Sequence, residues 1–141
     1  MRAAMLGGLV AVAAGCGRGE QPASDRAAER PRVEIVAPAT GDTVSLPVTI
    51  RLAVYGATVV PADGLREEGR GHHHLLVNVD LPAPDQPIPV GDGFIHLGTG
   101  ATEYVLEGLG PGPHRIIAVF AYGDHVPMAS VATDTILIVV R

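Results

Sequence analysis

From residue 32 onward this chain is governed by alternation with a period of two. Val48, Ile50, Leu52 and Val54 are separated by Thr49, Arg51, Ala53 and Tyr55, and side chains along an extended strand point to opposite faces in turn. That spacing predicts a half-buried strand. Residues 114–122 alternate again, with Ile116, Ala118 and Phe120 on one side and Ile117, Val119 and Ala121 on the other. Further strands are expected at Val33-Glu34-Ile35-Val36, over residues 72–80, at Phe94-Ile95-His96, at Glu103-Tyr104-Val105-Leu106 and over residues 133–140. No stretch between them holds a helical period, so the crossover helices of a parallel α/β sheet have no source. About seven short strands joined by Gly/Pro turns predict an all-β fold, an antiparallel β-sandwich of immunoglobulin-like type.

The amino terminus carries an address. Met1-Arg2 gives a positive start, and residues 3–14 are apolar or small, too short a run for a spanning helix, which needs about 20 residues. It ends in Ala13-Ala14-Gly15-Cys16, and Cys16 is the only cysteine in the chain. A charged start, a short apolar core and small residues before a cut site describe an export signal. Cysteine directly after the cut resembles the bacterial lipoprotein signal, whose cysteine becomes the acylated first residue. An ordinary cleaved signal with an incidental thiol is the alternative. A solitary exported cysteine has no disulfide partner, which favours acylation. The expected organisation is therefore a signal over residues 1–15, lipidated Cys16 and a polar tether over residues 16–31, and a β-sandwich over residues 32–141. The tether lacks large apolar side chains to order it. The protein is then expected on the periplasmic or cell-surface face of a bacterial membrane, held by acyl chains.

Charge narrows the partners. The formal net charge is -5 and lysine is absent, so there is no basic patch to meet phosphates, and nucleic acid is excluded. Three tyrosines and no tryptophan leave few aromatic anchors for a protein or glycan partner, whose identity is unknown at this level. Residues 56–71 and 81–93 form two long loops, the second carrying Pro82, Pro84, Pro87 and Pro89. Prolines stiffen such a segment, and loops of this length tend to carry function. Both flank the strand that begins at His72.

That strand opens with His72-His73-His74, directly before Leu75-Leu76-Val77. Alternation puts His72 and His74 on one face, roughly 7 Å apart at their Cα atoms. His73 falls on the face of Leu75 and Val77, where a buried, hydrogen-bonded core role is expected. Neutral imidazole is the commonest protein metal ligand and suits copper and zinc. His72 and His74 are the core of a candidate metal site, with His96 and His125 as the next contributors. Asp124 is a candidate second ligand or an orienting partner for His125, because metal-bound histidines usually donate their other N–H to a carboxylate or carbonyl. Glu103 is a candidate partner of the same kind, or the general base if a bound metal activates water. Met128 offers a thioether that cuprous copper accepts. His114, in a Pro-Gly-Pro-His turn, is expected to bond backbone.

Several of these segments carry a family resemblance. Gly71-His72-His73-His74-Leu75-Leu76, then Leu81-Pro82 and Asp85-Gln86-Pro87-Ile88-Pro89, then His96-Leu97-Gly98-Thr99-Gly100-Ala101-Thr102-Glu103, then Leu109-Gly110-Pro111-Gly112-Pro113-His114, and last His125-Val126-Pro127 resemble a secreted bacterial family, domain of unknown function 4399. The resemblance spans nearly the whole domain and implies no particular activity.

Function is therefore read from the imidazoles. The leading expectation is an exported, membrane-tethered sandwich that binds copper or zinc. The alternative is a non-catalytic envelope interaction module in which the histidines are structural, capping the strand and bonding the flanking loops. A metal-dependent enzyme is the third reading. No Gly-x-Ser-x-Gly elbow, Cys-x-x-Cys pair, phosphate loop or dinucleotide fingerprint is present to support catalysis.

Overall fold

A computed structural model of the chain describes residues 30–141. The signal, Cys16 and most of the tether expected from the sequence lie outside them. The described residues form nine strands, β1 (Arg32–Ala37), β2 (Thr43–Val44), β3 (Val48–Tyr55), β4 (Thr58–Val59), β5 (Arg70–Val77), β6 (Phe94–His96), β7 (Glu103–Leu106), β8 (Gly112–Ala121) and β9 (Asp134–Val140). There is no helix among them. The seven longer strands correspond to the seven expected from the sequence. The two additional ones are two-residue pairings, β2 with β9 and β4 with β5, and both are parallel. They modify an otherwise antiparallel arrangement.

Two sheets face each other as an immunoglobulin-like sandwich. One is three-stranded in the order β1-β3-β7; the other runs β2-β9-β8-β5-β4, with β6 also paired to β5. Between them lies the core: Val33, Ile35, Ile50, Leu52 and Leu106 from the smaller sheet meet Leu75, Val77, Ile116, Ala118, Phe120, Ile136 and Ile138 from the larger. Ile50, Leu75 and Ile116 are fully buried, and each such side chain contributes roughly 1.5–3 kcal/mol.

β5 and β8 are buried on both faces, which half-buried strands are not. Their outward residues Leu76, Ile117, Val119 and Ala121 pack under Ile88 in a second apolar cluster. The cover is the proline-rich segment 81–93, anchored where Ile88 N–H donates to the His125 carbonyl at 2.9 Å. This layer sets the outward histidines of β5 on the outer face of the larger sheet, beneath a loop.

The histidine strand also differs in extent, running from Arg70 to Val77 rather than on to Asp80. Asn78 ends it by taking a left-handed backbone, φ 59°, which asparagine tolerates better than most residues. Its side chain then accepts from Arg115 N–H and donates to His114 Nδ1. At the other end, Gly71 allows β5 to approach β8 closely, since a Cβ there would lie 2.0 Å from the Ala121 carbonyl oxygen.

Candidate metal centre

Strand pleating delivers the first two imidazoles. His72 stands opposite Ala121 and His74 opposite Val119 on β8, both on the outward face, and their Nε2 atoms are 2.9 Å apart. β6 delivers the third, because its register sets His96 directly across from His74, with the two rings stacked at 4.9 Å between centroids. The fourth comes from the turn after β8. His125 has a left-handed backbone, φ 70°, held by its N–H to the Tyr122 carbonyl and by Tyr122 N–H to the Val126 carbonyl. That conformation is uncommon for any residue other than glycine. It directs Nε2 to within 3.2 Å of His96 Nε2. One donor atom from each of His72, His74, His96 and His125 lies within 4.8 Å of the others, a group that can hold a metal ion.

Burial controls the protonation of His72, His74 and His96. Desolvation, followed by the neighbouring imidazoles His96, His125 and His73, pushes His72 down to about 4, while Asp63 pulls weakly the other way. His74 is pushed down to about 3, again by desolvation first and then by His72, His96 and His125. His96 is lowered by desolvation and by His125. These imidazoles are therefore uncharged at neutral pH, the form in which histidine ligates metals. The Nδ1 atom of His72 is buried without a hydrogen-bond partner.

Gly98 makes room for His96. A Cβ at Gly98 would lie 2.2 Å from Cε1 and 2.3 Å from Nε2 of the His96 ring. This positioning role was not anticipated from the sequence. The available signal was a glycine two residues after a candidate ligand. Asp63, the acid whose charge acts on His72, was missed as well: it lies in the loop directly before the histidine strand, but no spacing marks which residue of that loop turns back toward the imidazoles.

The other candidates are placed elsewhere. Asp124 does not join the group: its Oδ2 accepts from Nε and an Nη of Arg66 at 2.8 and 2.6 Å, and its Oδ1 accepts from Val126 N–H. The Arg66 hydrogen bonds hold its carboxyl below the usual range. Its effect on His125 is thus through the backbone of the turn. Two residues on from Arg66, Glu68 accepts hydrogen bonds from Tyr122 and Ser130, so the charged loop before β5 ties down both sides of the His125 turn. Glu103 is exposed on β7 in the opposite sheet, in register with Arg51, and takes no part in the group. Met128 is buried in the core between the sheets, so its thioether packs rather than ligates. His114 bonds backbone as expected, with Nε2 donating to the Gly110 carbonyl at 2.8 Å.

His73 is buried on the inward face, edge-on to Phe120 at 5.3 Å between centroids. The expected hydrogen bonds are missing: neither ring nitrogen has a partner. The apolar contents of that face offer none.

A β-sandwich with four convergent imidazoles on one sheet is the class of protein that fold and site define. The chain belongs to the family described as domain of unknown function (DUF4399), whose family model matches residues 50–141. That span contains every member of the histidine group. No curated protein matches the chain. Among solved structures, it is similar to a chain from "Structures of Clostridium thermocellum CbhA fibronectin(III)-like modules", at 16% identity and a TM-score of 0.45, covering 79% of this chain and 47% of that one.

Proposed function

We propose that this protein is an exported, lipid-anchored envelope protein that binds one transition-metal ion through His72, His74, His96 and His125, copper ahead of zinc. The observation that carries the metal reading is the convergence of four imidazole donors within 4.8 Å from three separate chain segments. With metal–nitrogen bonds of about 2.0–2.1 Å, donors at right angles sit about 2.9 Å apart and tetrahedral donors about 3.4 Å apart. The spacings of 2.9 and 3.2 Å fall in that interval, so small ring movements suit either metal. Copper(II) leads because it accepts right-angled donors and stands highest in divalent affinity for nitrogen sites. The left-handed backbone at His125 supports the reading, since strained residues cluster where a side chain has a task.

The experiment is elemental analysis and calorimetric titration with Cu2+ and Zn2+ on protein purified without a histidine tag. One tight equivalent is expected, lost in His72→Ala/His74→Ala with the circular dichroism unchanged. Weak, multiple adsorption in the parent, with an unfolded double variant, would make the histidines fold determinants and leave the interaction-module reading in its place. The anchor rests on the signal-like start and solitary Cys16. Cys16→Ser is expected to move the protein from the membrane fraction to the soluble one.

A further inference from the structure

The side of the histidine group that opens outward is apolar. A cavity of about 300 Å³ is lined by His74, His96 and His125 together with Pro87, Ile88, Pro89, Val90 and Phe94. His72 lies behind, fully buried. Apart from the imidazoles, no lining side chain carries a polar atom. A metal with a purely structural task is closed in by its ligands, whereas an ion held by these four would have this chamber as its approach. Val90 stands at the chamber's lip with its side chain wholly in water, 103% exposed, on the stiff proline segment.

We infer that the centre takes an exogenous ligand through this cavity: a small molecule with a single nitrogen or oxygen donor on an apolar, one-ring body. The inference rests on the metal reading above. The volume is at the lower end of small-molecule pockets, which start at about 300 Å³, so it suits one or two rings rather than a cofactor. The donor completes the coordination of the ion while the ring lies between Phe94 and the proline segment. Each roughly 55 Å² of apolar surface removed from water is worth about tenfold in affinity. A small hydrated anion would reach the ion but, apart from the imidazoles, find no side-chain hydrogen-bond donor in the lining to replace its water. The site therefore selects for the apolar body, not for charge.

The test uses the whole protein loaded with one equivalent of Cu2+ and titrated with imidazole, 4-phenylimidazole and azide, followed by electron paramagnetic resonance and visible absorption. 4-Phenylimidazole is expected to shift the copper spectrum and to bind at least about tenfold more tightly than imidazole, with azide weaker than either. Val90→Asp, which puts a charge into the apolar lining, is expected to cut that preference at least threefold. Phe94→Ala is expected to reduce it further. Equal affinities for the two imidazoles, a spectrum unmoved by either, or copper stripped from the protein by them would overturn the inference while metal binding stood. Failure of Cu2+ to load at one equivalent would overturn the metal reading and this inference together.

Discussion

The two faces of β5 make the same residue into two different things. His72 and His74 look outward and His73 looks inward, and all three are buried, at 0%, 3% and 0% exposure respectively. Burial is therefore not what separates them. The outward pair meets other imidazoles, brought by β6 and by the His125 turn, beneath a loop that leaves a cavity beside them. The inward one meets Phe120 and aliphatic side chains, and both of its nitrogens go without partners. What surrounds a face decides whether a buried histidine is a candidate ligand or a burden on stability.

That contrast is open to attack from both sides. The largest effect is expected from exchanging leucine for histidine on each face. His72→Leu/His74→Leu is expected to abolish the proposed metal uptake, read by calorimetry. His73→Leu is expected to leave that uptake unchanged and to raise unfolding stability by roughly 1–3 kcal/mol, because a buried polar group without partners is removed. A fall in stability would show that His73 has a partner in solution. Next comes Gly98→Ala, which forces the His96 ring aside and is expected to weaken metal binding as much as His96→Ala does, on the order of 10–100-fold. An unchanged affinity would remove His96 from the ligand set.

Acid supplies a third, graded effect on the metal-free protein. The folded chain holds His72 and His73 down at about 4 and His74 at about 3, against 6.5 when exposed. Between those values the unfolded chain binds more protons than the folded one, so stability is full above about pH 6.5 and falls as pH drops toward 4. Urea midpoints measured across that window are expected to decline, and less steeply in His73→Leu, which removes one of the three contributions. The smallest effect belongs to Arg66→Ala. Its ion pair with Asp124 is largely exposed and is worth less than about 1 kcal/mol to folding. Loosening the turn beneath His125 is expected to reduce metal affinity only a few-fold, and an effect as large as that of His125→Ala would make Arg66 essential to the site.

The strand framework is legible in the residue order because alternation is local: Val48 to Val54 and Ile116 to Ala121 carry their faces in their own spacing. The same rule separates His73 from its neighbours. It cannot say that the outward face of β8 is covered, because that depends on where a distant proline segment folds back, and a covered and a bare face alternate alike. Nor can it place Glu103, which shares the acidic character of a partner but sits in the opposite sheet, or Met128, whose apolar stem found the core.

Residue order by itself determined the all-β class, the positions of the longer strands and the pairing of His72 with His74, since each follows from a two-residue repeat. The tertiary structure alone decided that His96 and His125 reach that pair, that Gly98 leaves His96 its space, that Asp124 serves Arg66 instead, and that a cavity stands beside the group. All but the Gly98 contact join segments far apart in the chain, brought together by strand register and loop closure. No local period records such distances.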